Sequence, residues 1–227
     1  MAGFFRVAWH VMRKDIMVEV RSREVLYTTL FFAVSVVLVF SFALVKEGRP
    51  PDDVAAGILW IAIAFSGTLA LGRTFERERY NDTLRALMLA PCDRPAIYVG
   101  KLLSMLALLA LVELLLVPLV GLLFAAPIFD QPLLLSALLG VGTLGFAAIG
   151  TVFAAMLVRV RSRDTLLAVL LYPITVPVMI AGVRGTAALF QPVPDIPMAR
   201  MWLALLVFWD VVFITLALWT FEPLMTE

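Results

Sequence analysis

Six long apolar segments dominate this chain of 227 residues, and few charged residues interrupt them. The mean hydropathy is +1.01 and 15% of the residues are charged, whereas soluble domains are about a quarter charged. Each segment is close to the length of about 20 residues that a helix needs to cross a membrane, and none alternates like the strands of a membrane barrel. The sequence therefore predicts an all-α membrane protein forming a single membrane-embedded domain. We place its six transmembrane helices near residues 25–45, 54–72, 102–126, 133–158, 165–183 and 201–220.

The distribution of basic residues predicts how the chain is oriented. Of the 18 Lys and Arg residues, 14 fall in the polar segments on the same side as the two termini, and 4 fall on the opposite side. Positive charge accumulates in the loops that stay in the cytoplasm. We therefore expect both termini in the cytoplasm.

An amphipathic helix is predicted ahead of the first span. Apolar residues recur at three- and four-residue spacing along residues 3–20, with basic residues on the other side, as in helices that lie in the membrane interface. This helix either anchors the chain at the surface or forms an elbow that passes motion from a partner into the first span. Its charges precede any continuous apolar core, so we expect no signal peptide and a retained anchor. The apolar stripe consists of Phe5, Trp9, Met12, Ile16 and Val20, and the basic side carries Arg6, His10, Arg13 and Lys14.

The motifs predict no catalytic, metal or nucleotide site. One cysteine, Cys92, excludes an internal disulfide, and one histidine, His10, excludes a site with two imidazoles. The residues before Lys101 match a phosphate-binding loop poorly, because GxxxxGK[ST] needs glycine where Pro95 stands and Ser or Thr where Leu102 stands. We expect a non-enzymatic subunit without a metal ion or a nucleic acid partner. Any nucleotide energy must then come from another subunit.

Two carboxylic acids lie inside predicted spans, Glu113 in the third and Asp210 in the sixth. A charged group at mid-membrane depth costs about 3 kcal/mol or more, so such residues usually face the protein interior. Either they relay protons or line a substrate path, or they hold helices or subunits together through hydrogen bonds. The first alternative would make the chain a proton-coupled secondary transporter. The lack of an evident internal repeat in the sequence argues against it.

The fourth and fifth spans predict close packing and bending, respectively. Small residues at four-residue spacing in the fourth span allow helix backbones to approach, either within one chain or between subunits. In the fifth span, Pro173 and Pro177 each remove a backbone hydrogen bond and bend the helix, which makes them hinge candidates. The small residues are Thr143, Ala147, Thr151 and Ala155.

A polar segment of 29 residues, 73–101, separates the second and third spans and holds six basic and four acidic residues. Residues 74–89 are compatible with a helix that Pro91 would stop. A helix lying on lipid carries basic residues above a continuous apolar face, whereas this one mixes acids with arginines beside a short apolar cluster. The pattern favours docking of a soluble protein partner over binding to the membrane surface.

Short motifs occur in order along nearly the whole chain. They are GILW at 57–60, RTFERE at 73–78, TLRALMLAP at 83–91, GK at 100–101 and LYPITVP at 171–177. With the amphipathic entry helix and six spans, they make the sequence similar to the CcmB family. Its members are ABC-2-like, haem-exporter-type permease subunits of bacterial cytochrome c maturation.

This resemblance implies a homodimer in the bacterial inner membrane that binds a cytoplasmic CcmA-type ATPase. It also implies CcmC- and CcmD-type membrane partners and a CcmE-type haem chaperone, whose release ATP hydrolysis drives. No cofactor would be bound directly, since no Cys or His is predicted on the external side as an axial haem ligand; partners would hold ATP and haem. An ABC-2 exporter of another substrate is the alternative. The implied ATPase-docking residues are Phe75, Glu76, Arg77, Glu78, Leu84, Arg85, Leu87, Met88 and Pro91.

Overall fold

The computed structural model describes residues 2–44, 54–76, 94–158, 160 and 162–226, and over these residues the chain is helical without a strand. Six of the helices, α2 to α7, are long and apolar enough to cross a membrane. The predicted all-α membrane fold with six spans is therefore confirmed. The helices are α1 (Ala2–Ser22), α2 (Glu24–Ala43), α3 (Ala55–Arg73), α4 (Arg94–Phe124), α5 (Pro132–Met156), α6 (Arg163–Leu189) and α7 (Ile196–Thr226).

The bounds of the helices differ most from the predicted spans at α4, α6 and α7. α4 begins at Arg94 instead of near residue 102. Pro95 is compatible with this start, because the N–H groups of a first helical turn make no hydrogen bond within the helix. α6 continues to Leu189, and α7 begins at Ile196 with Asp195 Oδ1 accepting a hydrogen bond from Met198 N at 3.0 Å. Such a side-chain cap stabilises a helix start. Most of residues 184–200, between the fifth and sixth predicted spans, are thus helical.

α1 packs along the start of α4 through a face that the apolar stripe does not include. Ala8 and Val11 are buried there, and Gly100 of α4 permits the contact, since a Cβ at Gly100 would lie 2.7 Å from Ala8 O. Phe5 is 75% exposed and Trp9 also faces outward. The start of α1 therefore has one apolar face on the protein and another that is free to enter the membrane interface.

A sharp turn at Arg23 joins α1 to α2. Arg23 has a φ of 56°, in the left-handed region, and this residue interrupts the helix so that α1 ends and α2 begins. Glu19 near the end of α1 accepts a hydrogen bond from Leu26 N at 2.8 Å through Oε1. This carboxylate satisfies one of the free N–H groups at the start of α2 and fixes the angle between the helices.

α3 and α5 are the most buried spans, and Trp60 in the first half of α3 is fully buried. The fully buried indole packs against Gly142 of α5 and Gly182 of α6, and a Cβ at Gly182 would lie 2.5 Å from the ring. The Trp60 side chain thus fills the space that is open because Gly142 and Gly182 have no side chains. The outer spans expose large apolar side chains, as lipid contact requires; examples are Phe31, Leu114, Leu122, Phe208 and Trp219.

The four small residues of the fourth predicted span, Thr143, Ala147, Thr151 and Ala155, are all buried within the protomer. Intramolecular packing, one of the two predicted alternatives, is therefore confirmed for this face of α5. Pro173 and Pro177 lie inside the continuous α6 helix. Their role as hinges stays a prediction.

Candidate coupling site at the charged end of the bundle

Charged side chains from five helices meet at one end of the bundle, which we call the charged end. They come from the second half of α1, the starts of α2, α4 and α6, and the residues at the end of α3. Because α3 ends and α4 begins here, the described residues that border segment 77–93 both lie at this end. The charged end is therefore the candidate site for input from a partner.

Lys101 of α4 is the central cation of the charged end and is only 1% exposed. Its Nζ lies 3.0 Å from Asp15 Oδ2 of α1, donates a hydrogen bond to Thr74 O at 2.9 Å, and lies 4.9 Å from the ring centre of Phe75. A buried cation needs such partners, because an unpaired one would carry a large desolvation penalty. Lys101 thus fastens the start of α4 to α1 and to the residues that follow α3.

Glu76, the last described residue before segment 77–93, is held between two arginines. Its Oε2 lies 3.0 Å from Arg73, and its Oε1 lies 3.5 Å from Arg163 at the start of α6. Arg73 also lies 3.4 Å from Glu24 of α2. The pairs of Arg73 are exposed and each contributes little alone, whereas Arg163 is buried. Together these pairs connect the residues after α3 to α2 and α6.

Aromatic packing beneath these ion pairs also anchors both borders of segment 77–93. Phe75 is 1% exposed, in an apolar cluster that includes Tyr98 and Leu71. The Tyr98 hydroxyl donates a hydrogen bond to Ala148 O of α5 at 3.1 Å. The described residues on each side of segment 77–93 are therefore packed into the helix bundle.

Two of the nine predicted ATPase-docking residues, Phe75 and Glu76, lie within the described part of the chain. Phe75 faces the interior, and Glu76 remains partly exposed while it pairs with the two arginines. Their contact with an ATPase stays a prediction. The remaining seven lie outside the described residues: Arg77, Glu78, Leu84, Arg85, Leu87, Met88 and Pro91.

The two intramembrane acids approach α5 at different positions. Glu113 of α4 accepts a hydrogen bond from Thr143. Asp210 of α7 is 5% exposed and lies against Gly145, and neither carboxylate oxygen has a hydrogen-bond partner among the described residues. Thr143 and Gly145 are two residues apart, about 200° around a helix. The structure therefore does not bring the two acids together on one face of α5.

Sequence reasoning missed the pairing of Lys101 with Asp15, which can be inferred only once the buried face of α1 is known. Asp15 follows Ala8 and Val11 at three- and four-residue spacing, so it continues the buried face of α1. A carboxylate at the end of a buried face requires a cation opposite it. The hydrogen bond from Trp60 Nε1 to Thr186 Oγ1 left no such signal, because neither side chain is charged.

The sequence model of the CcmB protein family matches residues 6–223, which is nearly the whole chain. The chain belongs to the CcmB family. Six helices able to cross a membrane, together with this membership, identify a multi-pass membrane protein.

Curated relatives of this CcmB-family chain carry the name "Heme exporter protein B". That of Pseudomonas aeruginosa is 28% identical over 175 residues, which cover 77% of this chain and 78% of the relative. That of Haemophilus influenzae is 26% identical over 171 residues, covering 75% and 76%. That of Rhodobacter capsulatus is 28% identical over 188 residues, covering 81% and 86%. The similarity thus extends over most of both proteins in each case.

Proposed function

We propose that this CcmB-family protein is the permease subunit of an ABC-type complex that handles haem in cytochrome c biogenesis. It lies in the bacterial inner membrane with both termini in the cytoplasm, as the distribution of basic residues favours. The charged end then faces the cytoplasm. Relatives named "Heme exporter protein B" support the haem role. The subunit is non-catalytic, and a CcmA-type ATPase supplies the energy.

The observation that carries this proposal is the anchoring of both borders of segment 77–93. On one side Glu76 is tied to α6 through Arg163, and on the other Lys101 is tied to α1 through Asp15. An ATPase docked on residues 74–91 that shifts this segment would move α3 and α4 together with these partners. Packed helices respond to such a shift by rigid movement, because close-packed interiors deform little.

In this proposal, partner proteins bind the haem, and the permease does not bind it directly. His10 is exposed on α1, and with both termini in the cytoplasm, as proposed, it would not be an external haem ligand. Haem is then held by CcmC- and CcmD-type membrane proteins and by a CcmE-type chaperone. The permease acts as a homodimer. It transmits the conformational change that accompanies ATP hydrolysis, and this change releases the haem-loaded chaperone.

Affinity purification of the full-length chain from mild detergent tests this function. A soluble ATPase and the membrane partners should co-purify, and the chain alone should hydrolyse no ATP. In a strain that lacks the gene, c-type cytochromes should be absent and should return when the wild-type chain is expressed. Normal cytochrome c levels in that strain would contradict the haem role and favour an ABC-2 exporter of another substrate.

One observation favours a second candidate, a proton-coupled secondary transporter. Asp210 is buried in the bundle without a hydrogen-bond partner among the described residues, as expected for a group that exchanges a proton. A Glu113→Gln, Asp210→Asn double variant separates the two candidates. An ATPase that co-purifies with the wild-type chain, together with unchanged cytochrome c maturation by the folded double variant, would reject the proton-coupled transporter. Lost maturation by the folded double variant, with no ATPase bound to the wild-type chain, would support it.

A further inference from the structure

A cavity of about 310 Å³ lies between α1, α2, α3 and α4, beside the ion pair of Lys101 and Asp15. Its volume is at the lower end of the range of about 300–1,000 Å³ found for small-molecule sites. An α-helix about 10 Å across does not fit into such a space. The occupant is therefore a slender molecule, and the walls of the cavity define its chemistry.

The walls change from polar to apolar along the axis of α4. Ser104 lines the cavity near the charged end, and Leu108 and Leu111 line it farther along the same helix. Ser104 and Leu111 are seven residues apart, which is about 10 Å at 1.5 Å per residue. On α3, Arg73 lies at the polar end and Ala70 lies about one turn deeper. The cavity therefore has a polar mouth at the charged end and an apolar interior.

The apolar interior is continuous with the lipid-facing surface of the bundle. Leu111 lines the cavity and is 45% exposed, and Ala107, one turn before it, is also exposed. Both residues belong to a span whose exposed surface meets hydrocarbon. A molecule with an acyl chain can thus enter sideways from the bilayer, with its head at the mouth.

The mouth carries charges of both signs. Asp15, Glu19 and Arg73 all line it. The hydrogen bond from Leu26 N holds the Glu19 carboxylate in place, and Arg73 is half exposed. Asp15 is already paired with Lys101, and Arg73 with Glu24 and Glu76. An anionic headgroup drawn to Arg73 would therefore also meet the carboxylates of Glu24 and Glu76, besides that of Glu19. A zwitterionic headgroup satisfies both signs at once.

We propose that this cavity binds one phosphatidylethanolamine molecule from the adjacent leaflet. Its phosphate lies near the Arg73 guanidinium, its primary ammonium donates hydrogen bonds to the Glu19 carboxylate, and part of one acyl chain lies along Leu108 and Leu111. A primary ammonium fits better than a quaternary one, because it supplies N–H donors to a carboxylate. The lipid bridges α1 and α4 next to Arg73 and Thr74, where polar segment 73–101 begins.

Native mass spectrometry of the full-length protein tests this site. The detergent-purified chain is equilibrated with equal amounts of phosphatidylethanolamine, phosphatidylglycerol and phosphatidylcholine, and the retained lipid is identified. Wild type should retain one phosphatidylethanolamine with a preference of about tenfold over the other two, as one charge-assisted hydrogen bond supplies. Equal retention of the three lipids, or haem in their place, would overturn the proposal.

Two variants probe the head and the chain of the lipid separately. Glu19→Gln keeps an oxygen to accept the Leu26 hydrogen bond but removes the charge, so the tenfold preference should disappear. Ala107→Trp fills the apolar part, so lipid retention itself should be lost. The matched controls are Asp164→Asn, an exposed carboxylate at the charged end outside the cavity, and Ala110→Trp, an exposed alanine of α4 outside it. Both controls should behave like wild type.

Retention of the wild-type preference by Glu19→Gln, or of the lipid by Ala107→Trp, would contradict the assignment. Melting temperatures of all four variants show that each is folded, and Glu19→Gln alone still decides the headgroup if Ala107→Trp does not fold. Since the measurement reports lipid binding by the isolated chain, its result does not depend on the haem role or on an ATPase.

Discussion

Trp60 Nε1 donates a hydrogen bond to Thr186 Oγ1 at 3.0 Å and so joins the first half of α3 to the last turn of α6, away from the charged end. Both residues are fully buried, and an indole N–H without a partner is costly in such surroundings. The indole also packs against Gly142 and Gly182. Close packing and a neutral hydrogen bond therefore join the helices in this part of the bundle, whereas ion pairs join them at the charged end.

Replacement of the Trp60 indole should destabilise the protein. Trp60→Phe removes the donor and part of the ring volume, and it leaves the Thr186 hydroxyl without this partner. We expect a loss of about 2–4 kcal/mol in the free energy of unfolding, measured by unfolding in detergent. Thr186→Val provides the control, because the double variant should lose less than the sum of the two single losses. Strict additivity would show that the hydrogen bond contributes nothing.

Loss of the Lys101 cation should weaken the charged end. Lys101→Met removes a buried partner of Asp15 and a donor to Thr74 O, and we expect about 2–3 kcal/mol less stability. Asp15→Asn in the same chain should recover part of this loss, because it removes the carboxylate that was left short of a partner. Lys14→Met is the matched control, since its pair with Asp15 is exposed and should contribute less than about 1 kcal/mol.

A methyl group at position 145 should collide with the carboxylate of α7. A Cβ at Gly145 would overlap Asp210 Oδ1, so Gly145→Ala should cost about 1–3 kcal/mol and lower the folded yield. Addition of Asp210→Ala should restore the yield by making room. Gly140→Ala in the same helix is the control, because a Cβ there meets open space. Failure of Asp210→Ala to restore the yield would contradict this packing.

Charge reversal near the start of polar segment 73–101 should release the ATPase. The Glu76→Lys, Glu78→Lys variant places positive charge where the proposed docking surface begins, so the ATPase should no longer co-purify. Asp164→Lys makes the same kind of change at the charged end but outside residues 74–91, and it should leave binding intact. Full ATPase binding by the double variant would reject docking on this segment.

Arg163→Met should separate docking of the ATPase from transmission of its motion. Arg163 links Glu76 to α6 but lies outside the proposed docking residues. ATPase co-purification should therefore remain at the wild-type level, while cytochrome c maturation in the complemented deletion strain should fall several-fold. If maturation stays normal, the ion pair of Glu76 with Arg163 does not transmit motion.

The spans were predictable because continuous apolar length is a local property of the sequence. The ends of the spans were less predictable. α4 includes Lys101 because this cation pairs with Asp15 inside the bundle and donates a hydrogen bond to Thr74 O. A single-sequence reading assigns a lysine to water unless its partner is known. The same limit applied to α1, where the outward direction of Phe5 followed from the close contact of Ala8 with Gly100.

The sequence by itself determined the class of protein, the six spans and the family, because hydropathy, charge distribution and short motifs can be interpreted without contacts. Only the tertiary structure decided which partners the buried polar groups have: Trp60 with Thr186, Lys101 with Asp15, and Asp210 against Gly145. These pairs lie far apart in sequence, and each depends on how closely two helices approach. That distance is set by the glycines and small residues packed between them, which is a property of the whole bundle.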